Sequence, residues 1–104
     1  MDTISVLNAE TGKFESMKAY RLNGTNGKFA VHRKLKDERK WNITHTKTNC
    51  SIPFDFETMK KACFIAGMLY TSGINWEKKK GQYTKKDIDK ALEICKYGWL
   101  SKKG

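Results

Sequence analysis

The chain has 104 residues, 38% of them hydrophobic, and carries 21 lysines and arginines against 11 aspartates and glutamates, a net charge of +10. That length allows one small basic domain with a real core, and the apolar content excludes disorder throughout. The longest apolar run lies within Ala62–Tyr70, too short to span a bilayer, and the polar opening MDTISVLNAETG has no charged leader before an apolar run, so a cytoplasmic location is expected.

In chain order, Thr3–Leu7 is a short apolar run closed by a turn at Gly12. Phe14–Leu22 reads as the returning strand, with Met17, Ala19 and Arg21 on one side and Lys18, Tyr20 and Leu22 on the other. Asn23-Gly24-Thr25-Asn26-Gly27 is the strongest turn signal in the chain. In the next strand, Lys28–Leu35, Phe29, Val31 and Leu35 face one way, and Lys28, Ala30, His32 and Lys34 the other. A charged reversal at residues 36–39 leads into Lys40–Lys47. There Trp41, Ile43 and His45 oppose Lys40, Asn42, Thr44 and Thr46, the period of a half-buried strand. Ser51-Ile52 is a short last strand, ended by Pro53, which cannot donate to a ladder.

The pattern then changes to helical spacing. Thr58 is placed to cap a helix over about Met59–Tyr70 with the stripe Met59, Ala62, Cys63, Ala66 and Tyr70. A basic loop, Lys78-Lys79-Lys80-Gly81, precedes Thr84-Lys85-Lys86-Asp87. This is a capping-box pattern with the shorter acid, and it opens a second helix with the stripe Ile88, Ala91, Leu92 and Cys95. Strands followed by helices predict an α+β fold: an antiparallel sheet of three to five strands followed by two C-terminal helices. Phe29, Val31, Trp41, Ile43, Ala62, Ala66 and Leu92 are the expected core.

The three cysteines, Cys50, Cys63 and Cys95, are odd in number and widely spaced, and neither they nor the histidines show metal-ligand spacing. Reduced thiols are expected, with no metal and no cofactor; Cys63 and Cys95 should be hidden on helix stripes and Cys50 accessible in a turn. No phosphate-loop, dinucleotide-binding, nucleophile-elbow or zinc-protease motif occurs, and His32 and His45 fall on opposite strand faces, so no enzyme is expected.

The charge balance points to polyanions. If a helix takes one sheet face, the other is open and offers Lys28, His32, Lys34, Lys40, Asn42, Thr44 and Thr46, with Arg21 as a further candidate. Lysines neutralise phosphates, and asparagine and threonine reach base edges. Lys78, Lys79 and Lys80, with Lys85 and Lys86, would clamp a flanking backbone, and Trp76 and Tyr83, which bracket that loop, are of the type that stacks on single-stranded bases. An ordinary solvated sheet face and loop would use the same residue types. Nucleic acid, DNA before RNA, is the expected partner of a module of the kind carried by a phage or mobile element. The alternative is a small basic phage-type inhibitor or adaptor that binds an acidic surface of a host protein.

Three strands followed by Phe56-Glu57-Thr58-Met59-Lys60-Lys61-Ala62 resembles the sheet-plus-helix DNA-binding domains of the AP2 and integrase arm-binding type, where Phe-x-Thr-x-x-x-Ala opens the helix. The resemblance covers roughly residues 28–70. It implies DNA contacts from the sheet face, here on Lys28, His32, Lys34, Lys40, Asn42 and Thr44. The chain departs from that pattern in its strands, sparse in arginine and glycine, and in its second helix.

Overall fold

A computed structural model describes residues 2–8, 10–34 and 39–100, with the side chains of 97–100 outside that description. The facing of Leu35 and the reversal through 36–38 therefore lie outside the described residues. Five strands, β1 (Asp2–Asn8), β2 (Lys13–Arg21), β3 (Phe29–Arg33), β4 (Trp41–His45) and β5 (Cys50–Ser51), pair antiparallel in chain order. Two helices follow, α1 (Met59–Tyr70) and α2 (Lys85–Leu100), giving the α+β arrangement that the sequence predicts.

Local chemistry sets the boundaries. Asn26 and Gly27 hold consecutive left-handed conformations, φ 53° and 72°, which Asn and Gly tolerate best, and turn β2 toward β3. Thr58 Oγ1 accepts from Lys61 N–H at 3.1 Å and starts α1. At α2 the capping box closes both ways: Asp87 N–H donates to Thr84 Oγ1 and Thr84 N–H to Asp87 Oδ2, each at 3.2 Å. Each cap satisfies backbone donors that a helix start otherwise leaves open.

In the β3–β4 register, Val31 pairs with Ile43 and Phe29 with His45 on one face, while Ala30 pairs with Thr44 and His32 with Asn42 on the other. The first face meets the helices. Phe29, Val31, Ile43 and Phe56 are buried against Ala62, Ile65, Ala66 and Leu69 of α1 and Cys95 of α2. The stripe of α1 is thus centred on Ile65 and Leu69, with Met59, Cys63 and Tyr70 at its margins. Two expected core residues are only partly buried. Trp41 lies at the rim with the Arg33 guanidinium 4.2 Å from its ring centre, and Leu92 lines a cleft.

The second sheet face is not open. The sheet curls until Leu7 N–H donates to Asn49 O at 3.0 Å, joining β1 to the turn before β5. Asn49 sits at φ 59°, and its amide, assigned so that the nitrogen meets acceptors, donates to Ser5 O at 3.0 Å and Thr46 O at 3.3 Å. Inside the curl Ile4, Val6, Ala19 and Ala30 form a second small core, with Met17 packed against it. Period-2 alternation in β1 and β2 hints at that core, since Ile4, Val6, Met17 and Ala19 all point one way.

Beyond β5 the chain stays beside β4. Ile52 N–H donates to Ile43 O at 2.8 Å, and Phe56 exchanges two backbone hydrogen bonds with Trp41, at 2.7 and 2.8 Å. Between them Pro53 interrupts the ladder. The Asn42 amide bridges the interruption, donating to Ile52 O at 3.1 Å and to Phe54 O at 2.9 Å.

Candidate nucleic-acid interface

The curl decides the fate of the expected sheet-face site. His32 is 2% exposed, Asn42 7% and Thr44 0%, so none of the three can meet a groove of DNA. Each is occupied inside. A carbonyl can only accept, so His32 Nδ1, 2.7 Å from Arg33 O, carries the ring proton. Nε2, 2.6 Å from Thr44 Oγ1, then accepts from that hydroxyl. Thr44 Oγ1 in turn lies 2.9 Å from Ser51 Oγ and accepts a hydrogen bond from that hydroxyl. The three groups close a buried polar chain of the kind that makes an internal hydroxyl and imidazole tolerable.

The surrounding cations are paired with carboxylates. Lys34 Nζ lies 2.7 Å from Asp55, Lys40 Nζ 3.8 Å from Glu57, and Arg21 Nε 3.8 Å from Asp2. Lys28 pairs with Glu77, which the Lys28 contact holds below the usual carboxylate range. Exposed pairs of this kind contribute little to stability, but each brings a negative charge to the place a phosphate would occupy. The expected face is therefore neither open nor strongly positive.

His45 is buried on the helix side of the sheet, apart from His32. Its Nε2–H donates to Trp76 O at 2.8 Å, and Nδ1 accepts from Thr48 Oγ1 at 2.9 Å. Its ring lies in a cluster with Phe29, Trp76 and Tyr83, at centroid distances between 5.3 and 6.0 Å. Burial pushes both histidines below their ordinary value of 6.5. The sign follows directly. Above about pH 6.5 both folded and unfolded chains hold neutral rings and stability is full; below it the unfolded chain takes up protons first and stability falls. Chemical denaturation midpoints should drop between about pH 7.5 and about pH 5, with a smaller drop in a His32→Gln variant. A flat profile would show that the two rings are not held neutral.

Unpaired positive charge gathers elsewhere. Residues 78–90 carry six lysines against two aspartates. Lys78 is held by Asp87 at 2.8 Å, but Lys79, Lys80, Lys85, Lys86 and Lys90 are exposed and have no carboxylate partner among the described residues. Farther along α2, Asp89 and Glu93 share the outer surface with Lys90, so the excess lies at the loop and the helix start. Lys85 and Lys86 occupy the first turn, where the helix dipole already presents partial positive charge. Asp87, in the same turn, offsets part of that charge.

Beside these lysines is an apolar cleft of about 280 Å³ between β5 and α2. Ile52, Pro53, Ile88 and Leu92 supply apolar wall, Trp76 and Tyr83 aromatic wall, and Lys80 a cationic margin. Ile88 is 48% exposed there. Of the residues singled out from sequence, Lys80 thus joins Trp76 and Tyr83 at one place, next to Lys79 in the loop, and Lys78 Nζ lies 5.7 Å from the Tyr83 ring centre. Lys85 and Lys86, expected to clamp a backbone with the loop, sit in the first turn of α2; only Ile88 reads from sequence solely as a stripe residue. Of the thiols, Cys95 is buried as expected and pushed up to about 12 by desolvation. Cys63, expected to be hidden, is only partly buried, with its thiol raised for the same reason, and Cys50, expected in a turn, is partly buried in β5 and lines the cleft. No helix among the described residues is long and apolar enough to cross a membrane. Comparison with protein-family models, curated proteins and solved structures returns no match.

Proposed function

We propose that this protein is a non-enzymatic nucleic-acid-binding module, with DNA as the first partner to test, and that it binds through the loop at residues 78–81 and the start of α2. The single observation that carries this reading is the placement of Lys79, Lys80, Lys85 and Lys86, exposed and without carboxylate partners, at the positive end of a helix. Phosphates satisfy ammonium groups and helix dipole together. The curled sheet acts as the scaffold that holds this corner, through His45 on Trp76 and Lys28 on Glu77. A cytoplasmic setting and a phage or mobile-element origin belong to the same reading.

Fluorescence anisotropy with labelled oligonucleotides across a salt series tests it. Binding at low salt should weaken steeply as salt rises through counterion release. Replacing Lys79, Lys80, Lys85 and Lys86 together by alanine should flatten the log–log slope by roughly three units, at about 0.7–0.9 per lost phosphate contact. The double variant Lys34→Ala, Lys40→Ala should leave it unchanged. The reverse pattern would return binding to the sheet. No binding at low salt would assign these lysines to an acidic protein surface instead.

A further inference from the structure

We infer that the cleft between β5 and α2 receives an unpaired base of a single-stranded nucleic acid, with the adjoining phosphates on Lys79, Lys80 and Lys85. The inference rests on the binding reading above and specifies which form of nucleic acid the site selects. Charge complementarity identifies the occupant. The cleft has apolar and aromatic walls and Lys80 at its margin; the carboxylate that lines it, Asp87, is paired with Lys78 at 2.8 Å, and exposed Lys79 and Lys85 flank it in sequence. This fits a ligand that is flat and apolar in its ring and anionic in its backbone. Stacking on aromatic walls beside a basic track is the general means by which proteins hold single strands.

The aromatic walls are fixed before any ligand arrives. Trp76 Nε1–H donates to Leu69 O at 2.7 Å, and Tyr83 O–H donates to Lys78 O at 3.3 Å. The two ring centres are 5.8 Å apart. The Tyr83 bond also ties the ring to the loop that carries Lys79 and Lys80, so the stacking wall and the cationic margin are held as one unit. Little side-chain freedom remains to be lost on binding. At the cleft, the Thr48 and Ser51 hydroxyls donate to His45 Nδ1 and Thr44 Oγ1, which leaves their oxygens as acceptors for a base-edge amino group. A duplex cannot use this site, because its bases stay stacked and offer only their edges in the grooves.

The test compares one labelled single-stranded DNA oligonucleotide with its own duplex at fixed low salt. The wild-type protein should bind the single strand roughly tenfold or more tightly than the duplex, the scale of one stacked base. Ala91→Phe fills the cleft without changing charge and should bring single-strand affinity down to the duplex level, with duplex affinity and salt slope preserved. Ile88→Gln removes apolar wall at an exposed position that the fold tolerates and should cut single-strand affinity several-fold in the same selective way. Equal affinity for both forms in the wild type, or single-strand affinity unmoved by both variants, overturns the inference while leaving salt-dependent binding intact. Absence of binding to either form overturns the underlying reading as well, and that outcome differs plainly from the first.

Discussion

Phe29→Ala is expected to cost about 3–5 kcal/mol, the range for truncating a buried phenylalanine. Phe29 is 0% exposed and sits where sheet, α1 and the loop after it meet. Its ring packs edge-on to Trp76 at 4.9 Å and lies 5.5 Å from His45. Removal would leave a cavity, the term that adds to lost transfer energy. It would also loosen the ring cluster that sets the floor of the cleft. Against a total stability of about 5–15 kcal/mol for a domain of this kind, the loss is a large fraction. Urea denaturation followed by tryptophan fluorescence measures it. Phe64→Ala is the control: that side chain is 61% exposed on the far side of α1, and its loss should stay within about 0.5 kcal/mol. Equal costs at the two positions would mean that α1 is rotated from the packing described.

Asn42→Asp is expected to destabilise by about 2–4 kcal/mol at neutral pH, because a donor bridging two carbonyls becomes a buried acceptor. The asparagine nitrogen serves Ile52 O and Phe54 O, and Asp55 Oδ1 stands 3.5 Å away. An aspartate there would face two carbonyls and a carboxylate, all negative. Its own carboxyl would be driven upward, so the loss should shrink as pH falls below the folded-state value and the new group becomes neutral. Asn42→Ala, which only leaves the two carbonyls without their donor, should cost less, about 1–3 kcal/mol. Denaturation midpoints of both variants at neutral and acidic pH separate the cases. The measurement also separates two roles for Asn42: a residue that reads a base edge would tolerate either change in the free protein, whereas one that bridges the gap left by Pro53 would not.

The stripe of α1 shows how far helical spacing reaches. Ala62 and Ala66 lie on the buried side as expected, yet the centre of that side is Ile65 and Leu69. Spacing alone allows either setting, since both are three or four residues apart; the curvature of the sheet beneath selects between them. Phe64, adjacent in sequence to Ile65, consequently points outward. Leu92 belongs to the apolar stripe of α2 and still lines an open cleft, because α2 packs on α1 and leaves a gap toward β5.

By itself the sequence determined the element types and most of their edges. The alternation of β4, the Asn26-Gly27 turn, the Thr58 cap and the Thr84–Asp87 box all act within a few residues, so their physics is complete in the local chain. The tertiary structure alone decided which surface meets solvent. Alternation divides β3 and β4 into two faces but does not say that either is wet. His32, Thr44 and Asn42 can go inside because the fold brings His32 to Thr44, Thr44 to Ser51 and Asn42 to the 52–54 backbone. The partners that occupy Lys28 and Lys34, namely Glu77 and Asp55, likewise come from distant segments. Long-range closure through Leu7 and Asn49 turned the expected binding face into an interior, while a cluster of exposed lysines remains at the loop and the first turn of α2.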